Sequence, residues 1–560
     1  MTGMKKLVIM TLALLALCTE TFASKAVTLP MRVVLQDGRE TTIALYGDEN
    51  FSFWATAQGE LIMRDGLQWR TATLHERNAA EQSLRKAPMT NEGIHASRPF
   101  PHMGNPKALV ILAAFTDQSF FFSKDDIDNL FNSSTYDSSA GRHNYGSIAQ
   151  YLDDMSDGQF RPQFDLVGPY TLPGTVADYG YNAGGTDPNI YQFIADACKA
   201  ADNDVDFTQY DANGDGYADL VYVVYAGYGE NWGGSSDYLW PKSGYGNYGI
   251  YDDVKVCRYS IGPELNGTKQ MKDEQGNPYI DGIGVLVHEL LHSMGLPDVY
   301  PTVTWSDITK YDDQSMEYWD VMDAGENTFN GYAPTPLTAF ERELFGWMTI
   351  DTLDKATDVT LRPLQDGGKA YRVMNDNDAT GNEYYILEAV PQGEGTGWYA
   401  KMPGVGMTVT HINYSDWYFS NFNYPNNDAG SPRWTLLPAD GVMLTSFRVT
   451  KASEESGLHI TNEEYKANMA ADTYPGTQGV TEITDYKAYT GSVNKPITDI
   501  ALNGFDVTFK FMGGTTDIAT PQTETHGVGT AVRNIAGQVV NDSYRGIVIS
   551  EGKKRLQKGR

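Results

Sequence analysis

Val287-His288-Glu289-Leu290-Leu291-His292-Ser293-Met294-Gly295-Leu296-Pro297-Asp298 decides how the rest of the chain is read. It holds H-E-x-x-H, then Gly295, then an acid. On a helix, His288 and His292 stand one turn apart on one face, so their imidazoles can converge on one metal ion. Glu289, next to the first of them, can reach a metal-bound water as general base. The apolar run 283–287, with Leu290 and Leu291, suits a helix buried on its other faces. Glycine takes the left-handed position past a helix end at little cost, so Gly295 marks the stop, and Pro297 prevents a restart. The chain then turns back and can present Asp298 as a third ligand. The competing reading is a buried amphipathic helix that happens to carry two histidines. The glycine and the acid at their offsets favour zinc.

Upstream, 108–115 is a continuous apolar run and reads as a buried central strand, as does 220–226. Residues 144–155 and 191–200 have helical spacing, and 159–167 reads as a strand. A Gly-rich stretch without helical pattern leads into the H-E-x-x-H helix. Strands alternating with helices place a sheet behind that helix. After Trp347 the chain changes to short strands (359–361, 369–373, 384–388, 406–412, 507–511) with a short helix near 463–467, which reads as a β-sandwich-like domain. The fold class is multidomain α+β.

The N-terminus reads as a signal peptide: Lys5 and Lys6, an apolar 7–17 too short to span a bilayer, and Thr21-Phe22-Ala23 before cleavage. Leu17 before Cys18 argues against a lipoprotein. Residues 24–106 read as a small β-rich unit (31–35, 41–45, 51–57, 59–64) followed by an exposed, Pro-containing linker. That is a propeptide layout, with an accessory domain as the alternative. The boundaries are therefore signal peptide 1–23, propeptide-like unit 24–106, zinc peptidase domain 107–350, β-sandwich-like domain 351–514, linker 515–530 and a short module 531–560.

The 560-residue chain carries a net charge of −30, which excludes a nucleic-acid partner and suits a secreted protein. Cys198 and Cys257 form a disulfide or remain two buried thiols. Asp211, Asn213, Asp215, Tyr217 and Asp219, in D-x-N-x-D-G-x-x-D, supply the first half of a calcium loop. Tyr222 stands where its closing glutamate belongs, and the alternative is an Asp-Gly turn. The histidines at 75, 95, 102, 143, 411, 459 and 526 have no ligand spacing with one another.

The chain resembles the immune inhibitor A type of secreted bacterial metallopeptidase over roughly residues 107–510. The resemblance is carried by 109–117, by S-I-A-Q-Y-L-D-D-M-S-D-G-Q-F at 147–160 and by Gly168-Pro169-Tyr170. It continues through 211–219 leading into Tyr225-Ala226-Gly227, the H-E-x-x-H-x-x-G-L-P-D run, Met322, and Phe345-Gly346-Trp347. It implies zinc, secretion, a propeptide and often structural calcium. The zinc run is similar to that of the metzincin class, whose methionine turn beneath the metal Met322 matches. Ala324 stands two residues after Met322, so a switch-out tyrosine there is not available. The last module (G-Q-V-V, R-G-I-V-I, G-K-K) is similar to short sorting tails of gliding and oral Bacteroidetes, which implies outer-membrane secretion machinery as a partner; a plain hairpin is the alternative.

The reading is a zinc endopeptidase of protein substrates, made as a zymogen: His288, His292 and Asp298 hold zinc and Glu289 is the base. Two alternatives stay open. A gluzincin-like site would use Glu341 or Glu343 as third ligand. A surface adhesin or glycan-binding protein would use the aromatic stretch 417–424 to stack sugars.

Overall fold

The computed structural model describes residues 20–22, 31–47, 52–56, 60–65, 68–73, 76, 99–137, 142–182, 187–301, 315–415, 418–419, 424–449, 459–514, 533–534, 545–550 and 553–558.

Two nearly all-apolar strands, Lys107–Ala114 and Val221–Tyr228, lie in the interior of a six-stranded sheet. The order across the sheet is Glu20–Phe22, Lys242–Tyr251, Val254–Leu265, Val221–Tyr228, Lys107–Ala114 and Gln163–Thr171. The last four run parallel, and the first two are antiparallel to their neighbours. Side chains alternate between faces along a strand, and the two cores follow that alternation. Val110, Leu112, Tyr222 and Val224 meet the helices Lys124–Asn132, Ile148–Met155 and Ile283–Met294. Leu109, Ile111, Val223 and Tyr225 pack against the helix Ile190–Ala201 on the other face. The H-E-x-x-H helix is thus pressed on the sheet from one side.

The Gly-rich stretch before that helix departs from expectation. It folds as a long hairpin, Lys242–Tyr251 with Val254–Leu265, turning at Asp252 and Asp253, both at positive φ. Two left-handed residues match the twist of a tight hairpin. The glycines and the two-sided burial hid the period-2 signal. The helix Lys124–Asn132, capped by a Ser123–Asp126 capping box, was also outside the reading.

The linker expectation needs a correction at its end. From Phe100 the chain is docked, not free: Phe100 is fully buried and its N–H donates to Ser293 O at 2.9 Å. His102 Nε2 lies 2.6 Å from Met294 O, and Trp347 Nε1 donates to His102 O at 2.6 Å. Apolar contact and the bare carbonyls of a helix end outweigh the polar, proline-marked look of the segment. The earlier part of the linker, with Lys86 and Arg98, lies outside the described residues. The N-terminal unit is one antiparallel sheet of Met31–Val34, Glu40–Gly47, Ser52–Thr56, Leu61–Asp65 and Gln68–Thr71. Its Leu45 and Trp54 pack on Trp240.

Beyond Trp347, a five-stranded sheet (Asp351–Thr352, Tyr371–Met374, Glu383–Val390, Gly406–Asn413, Trp434–Leu436) shares a core with a three-stranded one (Thr357–Leu361, Asp506–Phe511, Ile497–Asn503). Its other face, through Trp434, meets Phe340 edge-on at 4.8 Å and joins the core beneath the H-E-x-x-H helix. Among the described residues no helix is long and apolar enough to cross a membrane.

Candidate metal centre

The helix Ile283–Met294 is buried on every side, and it ends at Gly295 with φ +112°. That left-handed turn brings Leu296 O to 2.8 Å from His292 Nδ1 and carries Asp298 back over the helix. The other ligand candidate is held by the turn at Met322: Val321 O is 2.9 Å from His288 Nδ1. Met322 is fully buried; its N–H donates to Asp320 Oδ1 at 2.8 Å and its carbonyl accepts from Val299 N at 2.9 Å. The turn is therefore bonded directly to the residue that follows Asp298.

A carbonyl oxygen only accepts, so each Nδ1 carries a hydrogen, and each ring, when neutral, presents a bare Nε2 inward. The two Nε2 atoms are 3.1 Å apart, and Asp298 Oδ1 is 3.1 Å from one and 3.2 Å from the other. All three residues are buried. Three acceptors converging in a dry interior repel one another unless a positive charge stands among them. In the free protein that charge is a proton on His288: burial pushes His288 down, but Glu326, Asp298 and Glu289 outweigh it and hold it up at about 10, and a bound metal ion would take the proton's place. Burial lowers His292. Two imidazole nitrogens and one carboxylate oxygen, each ring fixed through its second nitrogen, are a donor set that fits zinc. Among the described residues this is the group of His, Cys, Asp and Glu side chains close enough to hold a metal.

Glu289 is buried on the same helix, next to His288. Its carbonyl accepts from Ser243 Oγ and from Ser260 Oγ at 2.9 Å, so the hairpin strands grip the helix at Glu289 itself. Glu341 and Glu343 are engaged elsewhere. Glu341 caps the helix Ala339–Leu344 through Thr338, and Glu343 pairs with Arg372 and accepts from Ile350 N.

Sequence reasoning missed Glu326. It is fully buried, with Oε2 3.7 Å from His288 Nδ1, and burial pushes its carboxyl up to about 8. It lies in the single-turn 3₁₀ helix Ala324–Asn327, too short to show a periodicity that would mark it.

The remaining candidates are dispersed. In the Asp211–Asp219 loop, Asp211 accepts from the N–H groups of Asp215 and Gly216, Asp215 from Tyr217 and Asp219 from Ala212. Burial, with Asp211 and Asp215 adding, raises Asp219 to about 6, although the Ala212 N–H opposes it. Cys198 and Cys257 are free and buried. His411 pairs with Glu383 at 2.9 Å and stacks on Tyr385. Of the aromatic stretch, Trp417 lies outside the described residues, and Phe419 is buried and stacked on Trp434, which removes it from a sugar platform.

Residues 113–348 match the Immune inhibitor A peptidase M6 catalytic domain. The helix Ile283–Met294, the hairpin Lys242–Tyr251 with Val254–Leu265 and the turn at Met322 fall within that match. The chain is 27% identical over 251 residues to Immune inhibitor A of Bacillus thuringiensis subsp. alesti, covering 37% of this chain and 34% of that protein. It is also 27% identical over 239 residues to Pre-pro-metalloprotease PrtV of Vibrio cholerae serotype O1 (strain M66-2), covering 39% of this chain and 25% of that protein. The matched part therefore spans about a third or less of the length of these relatives.

Proposed function

We propose that the chain is a secreted zinc endopeptidase made as a zymogen, acting on protein substrates. The observation that carries it is the convergence of His288 Nε2, His292 Nε2 and Asp298 Oδ1 within about 3 Å of one another, one residue from Glu289. His288, His292 and Asp298 hold the metal. Bound zinc supplies Lewis acidity at neutral pH. Glu289 takes the proton of the attacking water and passes it to the leaving amine. Val321 O and Leu296 O keep both rings in the tautomer that turns Nε2 inward. Peptidase activity is what the match to the M6 domain and the name of the PrtV relative support.

Residues 1–23 are the signal peptide, and the part of 24–106 that precedes Pro99 is the inhibitory segment, whose Leu45 and Trp54 rest on Trp240. The loop of Asp211, Asn213, Asp215, Tyr217 and Asp219 binds calcium; burial raises Asp219, and Asp211 and Asp215 add to it. Residues 531–560 are the sorting module.

The test pairs two variants. Glu289→Ala retains stoichiometric zinc and loses casein hydrolysis by several orders of magnitude, whereas Asp298→Ala loses zinc. Parent-like proteolysis by a zinc-loaded Glu289→Ala protein overturns the mechanism. Zinc retained in Asp298→Ala but lost in Glu341→Ala or Glu343→Ala moves the third ligand.

A further inference from the structure

Behind the turn at Met322, two carboxyls meet in the dry core. Asp320, on the turn, and Glu341, on the helix Ala339–Leu344, are both fully buried. Asp320 Oδ1 accepts from Met322 N at 2.8 Å. Glu341 Oε2 accepts from Thr338 N at 2.6 Å and from Thr338 Oγ1 at 2.8 Å. Their other oxygens, Asp320 Oδ2 and Glu341 Oε1, are buried and receive no N–H or O–H among the described residues. The two side chains are nonetheless within hydrogen-bonding reach of each other. Nearby donors are directed elsewhere: Tyr151 OH donates to Thr335 O at 2.7 Å, and Arg342 donates from Nε to Leu337 O and from Nη2 to Tyr399 OH, each at 2.9 Å. Carboxylate oxygens only accept, and two like charges in contact away from water cannot both persist. One hydrogen between the two acids satisfies both oxygens.

We propose that Asp320 and Glu341 share a single proton and act together as a positioning pair for His288, a role that rests on the zinc reading of the metal centre. The surroundings favour keeping the proton. Burial pushes Asp320 up to about 7, Asp323 adds to it, and the Met322 N–H, Glu341 and His288 oppose it. Burial carries Glu341 well above the ordinary carboxyl range; Asp320 and Glu388 add to that, and Thr338 opposes it. Acids that share a site titrate as a pair, so the proton belongs to both.

Asp320 closes the turn from both ends. Its side chain takes Met322 N, and its carbonyl accepts from Gly325 N at 2.9 Å and from Asp323 N at 3.2 Å. A Cβ on Gly325 would be 2.2 Å from that carbonyl, so the closure admits no side chain there. Between these bonds lies Val321, whose carbonyl meets His288 Nδ1 at 2.9 Å. Glu341 in turn ties Asp320 to its own helix. Ala339 N, at the head of that helix, donates to Glu388 Oε2 at 2.8 Å, on the strand Glu383–Val390. The shared hydrogen therefore links the turn beside His288 to the C-terminal sheet. Without it, two negative charges push turn and helix apart, and Val321 O moves off His288.

The experiment uses the full chain and compares Glu341→Gln, Asp320→Asn, the two combined, and Glu341→Ala. An amide keeps the shape of a carboxyl and carries a fixed donor. In Glu341→Gln the amide oxygen takes the Thr338 donors and its NH2 serves Asp320; in Asp320→Asn the oxygen takes Met322 N and the NH2 serves Glu341. Each single amide variant therefore replaces the shared proton, and its zinc affinity by chelator competition stays within about threefold of the parent. The double variant sets two NH2 groups against each other. It loses at least about tenfold in zinc affinity, and more Tm than the two single variants summed. The raised carboxyls contribute stability that is full below about pH 4 and is lost as pH rises through their folded values. Parent Tm thus falls as pH rises from about 4, and each single amide variant, with one acid left to titrate, falls less. An additive double variant, or zinc lost from Glu341→Gln as completely as from Glu341→Ala, overturns the shared proton. A double variant that fails to fold while both single variants fold is the non-additive result and supports it. Should one single amide variant not fold, the other decides by its Tm against pH: the parent's slope overturns the proposal, and a shallower one supports it. If the parent itself binds no zinc, the zinc reading fails, and the same Tm comparison on the metal-free chain still judges the pair.

Discussion

Gly284→Ala is the substitution whose outcome most directly tests how the helix is held. Gly284 lies one turn before His288 on the same helix face. A Cβ there would be 1.9 Å from Glu326 O, about 1.5 Å inside the 3.4 Å at which ordinary contact begins, with Glu326 C at 2.9 Å and Gly331 Cα at 3.1 Å. These are backbone atoms and cannot rotate away, so helix and loop must separate. Overpacking of this kind costs about 1–3 kcal/mol. Glycine to alanine inside an unobstructed helix would instead stabilise by about 0.5–1 kcal/mol. The sign of the effect therefore separates the two cases. Separation also draws Val321 O and Glu326 away from His288, and loss of such support costs metal affinity about 10–100-fold. Zinc affinity is measured by chelator competition and stability by urea unfolding of the zinc-loaded protein. A variant that is as stable as the parent or more so, with undiminished zinc affinity, would refute the argument that this close backbone approach positions the ligand.

Calcium added to zinc-loaded, otherwise metal-stripped protein should raise Tm, and Asp215→Ala should reduce that rise by the share of the Asp211–Asp219 loop; no difference between variant and parent leaves an Asp-Gly turn there. Asp472 is pushed up to about 8 by burial, with Asp440 adding to it and the Trp319 indole N–H opposing it. The folded state then holds a proton there that the unfolded chain releases near pH 4, so stability falls as pH rises from about 4 to 8, and Asp472→Asn should make that decline in Tm shallower. Protein beginning at Ser24 should be weakly active and gain activity on limited trypsin cleavage before Pro99, with the released fragment inhibiting saturably when added back. Full activity with an intact N-terminus, shown by mass spectrometry, makes the first unit an accessory module.

What the sequence made legible was local. The helix, its stop at Gly295 and the return to Asp298 follow from residues within a dozen positions, because helix period and glycine conformation act at short range. The apolar strands Lys107–Ala114 and Val221–Tyr228 were readable for the same reason. The supports were not. Val321 O, Glu326, Ser243 and Ser260 reach the helix from residues 29 or more positions away from their partners, in a turn and a Gly-rich hairpin that carry no periodic signal. Nor does anything near Gly284 announce that Glu326 and Gly331 will lie against it.

The same distinction bears on where an activating cut can fall. A helix ends with carbonyls that its own backbone does not satisfy. Here Ser293 O is taken by Phe100 N and by Arg258, and Met294 O by His102. Phe100 itself fills the core against Phe160 at 6.0 Å. Residues 99–102 therefore belong to the wall that fixes His292 and the turn after it, although in sequence they precede the strand Lys107–Ala114. Removing a buried phenylalanine of this kind costs about 3–5 kcal/mol, before the bared carbonyls are counted. A cut upstream of Pro99 can release the N-terminal sheet and leave that wall intact. A cut between Phe100 and Lys107 would strip it, so cleavage there should read as loss of zinc and of stability, not as activation.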